Sequence, residues 1–217
     1  MSTLSKIFVL TMLLMVAGNS VAQINIVNFD FGAVPVACSG WGFAYEAPVL
    51  SCGTDPTTQN FNAAPRFGWI LGGAVSVPAL PPGIHANGGS GLTGPGTLFY
   101  PPPFGGLPFT QAVFLQDVGS YVWQEIGGFS AGTYTLSFYL GSRFIDCCGY
   151  DGNQTVVALI DGRPIGTWAL SSYTSFTLKT ATFTVSSGGN HALEFMGTNP
   201  GDHTAFLSYV NITRSGH

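Results

Sequence analysis

Trp41, Trp69, Arg143 and Asp202 are the side chains with which this sequence could hold a ligand. An indole offers a flat apolar face, a guanidinium a planar fork of donors, and a carboxylate acceptors only. Together they suit a ring that carries hydroxyls on an apolar skeleton, as a sugar does. Each also has a plainer reading. A Trp can cover the edge of a core, Arg143 can pair with Asp146 or Asp202, and Asp202 can cap its own turn. Trp123 alternates with Val122, Gln124 and Ile126, so it faces outward if those face inward. Catalytic patterns are missing: there is no Gly-x-Ser-x-Gly, no His-Glu-x-x-His and no phosphate loop. The histidines at 85, 191, 203 and 217 lack metal-ligand spacing, and Asp151-Gly152 and Asp161-Gly162 read as turns. No catalytic residue and no metal ligand is expected.

The composition narrows what can position these groups. Lys6, the apolar run Ile7 to Val16 and the small-residue stretch ending at Ala22 have the order of a secretory signal peptide. That predicts residues 1–22 as a signal and 23–217 as one mature domain. The apolar run falls short of the roughly 20 residues needed to span a bilayer, so no membrane partner is expected after cleavage. The expected location is secreted and extracellular, or periplasmic if the source is Gram-negative. Only 7% of residues are charged and the net charge is -4, which leaves no basic face for nucleic acid.

From Gln111 onward, short alternating runs are separated by turn residues. In Thr133 to Leu140, the residues Tyr134, Leu136, Phe138 and Leu140 share one face, and Thr135, Ser137 and Tyr139 the other. Similar runs are Ala112 to Gln116, Tyr121 to Ile126, Thr155 to Ile160, Ser175 to Val185, His191 to Met196 and Ala205 to Ile212. Ile24 to Phe31 reads as an opening strand. Residues 32–110, dense in Gly and Pro, read as long loops with few strands. These features predict an all-β sandwich of two antiparallel sheets.

The strings Phe129-Ser130-Ala131-Gly132-Thr133-Tyr134, Val157-Ala158-Leu159-Ile160-Asp161-Gly162 and Gly201-Asp202-His203-Thr204-Ala205-Phe206 carry a resemblance, with Asn28-Phe29-Asp30-Phe31 and Gly68-Trp69 upstream. In that order the chain resembles the galactose-binding-domain-like jelly-roll family of secreted bacterial and plant cell-wall proteins. The resemblance implies a jelly roll that often binds glycans through loops at one end and often holds a structural calcium. Members with calcium commonly place a Glu after the opening strand's Phe and an Asp in the last strand. Gly32 and Ser208-Tyr209 stand there in this chain, which weakens the case for a structural calcium, and no other cofactor is expected.

Export favours oxidation of Cys38, Cys52, Cys147 and Cys148. Three pairings are possible. A vicinal Cys147–Cys148 bond is strained, because neighbouring Cα atoms lie about 3.8 Å apart while disulfides prefer roughly 4.4–6.8 Å. Cross-pairing avoids that strain and clamps the first long loop to the segment after Arg143. Local pairing of Cys38 with Cys52 leaves a vicinal bond or two free thiols. Asn153-Gln154-Thr155 and Asn211-Ile212-Thr213 match the N-glycosylation pattern, which matters in a eukaryotic source. The leading expectation is a non-catalytic carbohydrate-binding protein whose partner is a polysaccharide or glycan. The alternative is a self-associating matrix protein, since aromatic-rich, charge-poor surfaces also suit protein interfaces.

Overall fold

The computed structural model describes residues 23–33, 43–45, 68–73, 89–94, 101–145 and 150–215. Residues 1–22, read above as a signal, and Cys38, Trp41, Cys52, Tyr100, Cys147 and Cys148 lie outside these residues. Among the described residues there are twelve strands and no helix. They are β1 (Gln23–Ile24), β2 (Phe43–Tyr45), β3 (Ile70–Gly72), β4 (Gly89–Thr93), β5 (Ala112–Gln116), β6 (Tyr121–Phe129), β7 (Gly132–Ser142), β8 (Thr155–Ile160), β9 (Arg163–Ala169), β10 (Thr177–Val185), β11 (Gly189–Gly197) and β12 (Thr204–Arg214). The larger sheet runs β10-β7-β12-β5-β4-β2 with β1 also on β12, and the smaller runs β3-β6-β11-β8-β9. Every strand pairing is antiparallel, and the two sheets form a jelly-roll β-sandwich.

The alternation read in β7 sets the core. Tyr134, Leu136, Phe138 and Leu140 are buried and meet Val122, Ile126, Leu193, Phe195, Val156 and Ala158 from the smaller sheet. Phe138 is the tie between layers, with its ring 4.8 Å from Phe195 and 5.0 Å from Trp168. β5 is buried on both faces, because the segment 101–111 folds over the outer side of the larger sheet. There Phe104 and Phe109 pack with Phe114, Phe176 and Phe206 as a second aromatic layer. That explains why β5 reads Ala-Val-Phe-Leu without a polar alternate.

Two departures from the predicted strands have local causes. The opening strand stops at Ile24: Asn28 and Phe31 adopt φ of 51° and 58°, and the Phe31 amide donates to the Asn28 carbonyl at 3.1 Å. Asn tolerates this left-handed geometry, and the turn inserts the fully buried Phe31 into the core. Conversely, β9 is a strand that the run pattern missed. Asp161 (φ 49°) and Gly162 (φ 73°) make the two-residue turn that joins it to β8. Pro164 obscures it in sequence, yet β9 is an edge strand and its pairing slips at that point, where Pro is tolerated.

The sandwich ends differ. One carries tight turns at 130–131, 161–162 and 186–188, and the other carries the longer connections 117–120, 143–154, 170–176 and 198–203. At the tight-turn end, the His191 ring Nδ1 lies 2.6 Å from Asp161 Oδ2. The hydrogen bond with Asp161 raises the His191 pKa against the effect of burial. Burial pushes Asp161 up, but the hydrogen bonds from His191 and the Ala192 amide outweigh it and hold that carboxyl low. The stability from His191 is full below its unfolded value of 6.5 and is lost as pH rises through the raised folded one. The stability from Asp161 is lost only as pH falls through its lowered folded pKa. Asp161→Asn keeps a residue that accepts positive φ, so it should flatten the fall in melting temperature that begins as pH rises above the unfolded His191 value of 6.5. An unchanged slope in thermal melts would refute the linkage.

Candidate functional site

The longer connections do bring Arg143 and Asp202 together, as the sequence suggested. Arg143 Nη1 donates to Asp202 Oδ1 at 2.7 Å, and the Gln116 side-chain amide donates to the same oxygen. But Arg143 is only 4% exposed. Its guanidinium lies beneath Tyr150, 5.8 Å from the ring centroid, and its backbone amide donates to the Thr204 carbonyl. The Asp202 carbonyl in turn accepts the Asp151 amide, and the His203 ring meets the Asp151 carboxylate. Burial pushes Asp151 up, but bonds from Asn153 and His203 hold its pKa below the usual range. The expectation that Arg143 forks onto a ligand is therefore corrected: burial and an ion pair commit it to holding two loops together.

Gln154 completes that locking. Fully buried, it accepts the amides of Thr155, Thr198 and Asn199 and donates to the carbonyls of Asp117, Asn199 and His203. All the hydrogen-bonding capacity of one amide goes into pinning three connections.

Trp69 is the second correction. It is 1% exposed, its ring centroid is 5.0 Å from Phe31, and Nε1 donates to the Asn28 carbonyl at 3.0 Å. No face remains for a sugar. The left-handed turn at Asn28–Phe31 causes this, because it drops an aromatic ring onto the indole and supplies its acceptor.

The chain's residues do not fit the calcium implied by the resemblance. The Ser208 hydroxyl, fully buried, points at the Gln111 carbonyl (2.8 Å) and the Asp30 carbonyl (3.2 Å). At the two positions where the resemblance expects carboxylates, Gly32 and Ser208 bring none. No group of three metal-ligating side chains occurs among the described residues.

The outer face of the smaller sheet is different. Val122 and Ile126 point into the core, so Trp123 and Tyr121 point outward, as the alternation predicted. The register places Ile70, Trp123, Glu194 and Leu159 in one row across β3, β6, β11 and β8. Tyr121, Met196 and Val157 form the adjacent row. Neighbours in a row stand about 5 Å apart. Gly72 makes space for Tyr121, whose Oη lies 2.6 Å from where a Cβ on Gly72 would be. Trp123, Tyr121 and Glu194 are each half-buried. Among the described residues none of the three side chains has a hydrogen-bond partner, whereas Glu125 nearby is bonded by Asn190. Burial alone raises the Glu194 pKa. Sequence carried a signal for Glu194: it is an acidic residue inside an apolar run, away from any turn glycine.

No protein-family model and no curated protein matches the chain. Solved structures do. An apo cyclase from Fischerella sp. aligns with a TM-score of 0.57 at 20% identity, covering 91% of this chain and 98% of that one. A Stig cyclase, Fisc, from Fischerella sp. TAU, in complex with (3Z)-3-(1-methyl-2-pyrrolidinylidene)-3H-indole, aligns at 0.55 and 17%, covering 90% and 98%. Carbohydrate-binding modules also match, among them the CBM22-1–GH10 modules of a Clostridium thermocellum xylanase with xylohexaose, at 0.41 and 16% over 59% of this chain and 26% of that one. At such identities the likeness to the two cyclase structures establishes a shared fold and nothing more.

Proposed function

We propose that the protein is secreted and binds carbohydrate without catalysis, through the outer face of its smaller sheet. The observation that carries this is Glu194: a partly desolvated carboxylate with no donor, set between Trp123 and Leu159 and beside Tyr121. A carboxylate drawn out of water without a partner costs stability, and its retention is explained when a ligand supplies donors. Sugar hydroxyls do so, while the C–H face of the ring packs on the indole. The fixed sheet backbone holds both groups in place before binding, which limits the ordering cost.

Affinity electrophoresis against a panel of soluble polysaccharides tests this. Trp123→Ala should weaken binding by about 1–3 kcal/mol, roughly 5- to 150-fold, with circular dichroism and melting unchanged. A Trp123→Ala chain that binds every polysaccharide as its parent does overturns the reading.

Glu194 adds a pH signature. Binding through the ionised carboxylate should decline as pH falls through its raised pKa, and Glu194→Gln should remove that dependence. The sign for folding is opposite. A raised carboxyl pKa penalises the charged folded state above that pKa, and the penalty vanishes below the unfolded value of 4.5. Glu194→Gln should therefore melt higher than the parent at neutral pH while binding more weakly. A lower melting temperature would show that the carboxylate is structural.

A further inference from the structure

The larger sheet also turns a face outward, on the opposite side of the sandwich. The aromatic layer of Phe104 and Phe109 covers only one part of it. Beyond that cover, the register sets Thr180, Ser137 and Asn211 in one row across β10, β7 and β12, and Thr182, Thr135 and Thr213 in the next. All six are half-buried or exposed, and none is ionisable. With strands about 4.8 Å apart and same-face residues about 6.7 Å apart along each strand, they form a regular grid of hydroxyls and an amide.

The grid opens into a cleft of about 470 Å³ lined by Asn25, Phe29, Tyr209 and Asn211 among others. The cause is a gap in strand pairing. β5 covers β12 from Thr204 to Leu207, β1 covers it at Ile212 and Thr213, and between them β12 bulges with Tyr209 at φ 55°. The Phe29 and Tyr209 rings meet edge to face at 5.1 Å, and Phe29 is 41% exposed. The cleft thus has an aromatic wall and amide groups beside the grid, and it falls in the size range of small-ligand sites. None of the residues named in the grid and cleft is charged at neutral pH, so an ionic ligand finds no counter-charge there. An apolar partner would leave the grid's hydroxyls against hydrocarbon, which is unfavourable. A neutral polyhydroxylated chain satisfies both parts of the surface.

We propose that this face is a second glycan-binding surface, taking a neutral polysaccharide, and that the protein cross-links two polysaccharide chains, one on each side of the sandwich. The cross-linking rests on the Trp123 face described under the proposed function. Two outward faces of a two-layer sandwich point apart, so a chain on one does not obstruct the other, and polymer ligands convert two modest affinities into a network.

The test uses the full mature chain with cello-, xylo-, manno- and laminari-oligosaccharides by calorimetry, and the corresponding long polysaccharides by light scattering. With the glycan that binds, two sites per chain are expected, together with scattering that peaks at an intermediate protein-to-polymer ratio. Trp123→Ala should leave one site, and so should Ser137→Arg with Thr182→Arg. Either change should return scattering to baseline. Thr180→Arg, on the exposed edge strand, is the milder variant if the double replacement fails to fold. A single site that Trp123→Ala abolishes overturns the second surface and leaves the proposed function standing. A single site lost only with the grid replacements overturns both the Trp123 face and cross-linking. Dimerisation through the grid, seen in sedimentation and removed by Thr180→Arg, also overturns the proposal.

Discussion

Trp69→Ala should destabilise the protein by about 3–5 kcal/mol and lower its melting temperature by roughly 6–20 °C. Trp69 is among the largest fully buried side chains, and its removal empties the space against Phe31 and Leu71. It also strips the Asn28 carbonyl of its indole donor at the turn that follows β1. Domains are commonly stable by only about 5–15 kcal/mol, so the loss is a large fraction of the total. Denaturant titration with the midpoint read at constant slope measures it directly. A stable Trp69→Ala chain that has lost glycan binding would return Trp69 to the role its sequence position suggested. A destabilised chain that still binds when folded assigns it to the core.

The second large effect concerns Arg143. Arg143→Met keeps the volume of the side chain and removes its charge, leaving Asp202 with the Gln116 amide but no cation. Breaking a buried ion pair from one side costs about 3–5 kcal/mol, because the remaining charge stays desolvated. Asp202 is 16% exposed, which places the expected loss toward the lower end of that range. Combining Arg143→Met with Asp202→Leu should recover much of it, since neither charge then remains. Polysaccharide binding by the folded Arg143→Met chain should match the parent. A stability cost below about 0.5 kcal/mol, the size typical of a surface pair, would mean that the pair is open to solvent and free to take a ligand.

Sequence and structure agree where the local pattern dominates. Ala112–Gln116 and Thr155–Ile160 form strands with the limits read from their apolar runs, and β6, β7, β11 and β12 extend their predicted runs. Trp123 faces outward because its neighbours Val122 and Ile126 must face the core, which is a statement about period two and nothing else. The strands that alternation misplaced are those whose backbone was decided by one residue's φ or by an edge position. Asn28 ends the opening strand early, and Pro164 hides β9.

The sequence by itself determined the two-sheet architecture, the core-facing residues of the alternating strands and the scarcity of charged residues, because these follow from alternation and composition. Tertiary structure alone decided which polar and aromatic groups remain open. Arg143, Asp202 and Trp69 have the chemistry of a sugar site, and long-range contacts used it up: Asp202 lies 59 residues from Arg143, and Asn28 lies 41 from Trp69. Glu194 has one local neighbour pattern and no partner, a fact that depends on what β6 and β8 place beside it. A residue's type fixes what bonds it can make, and only the packed fold fixes whether the protein has already made them.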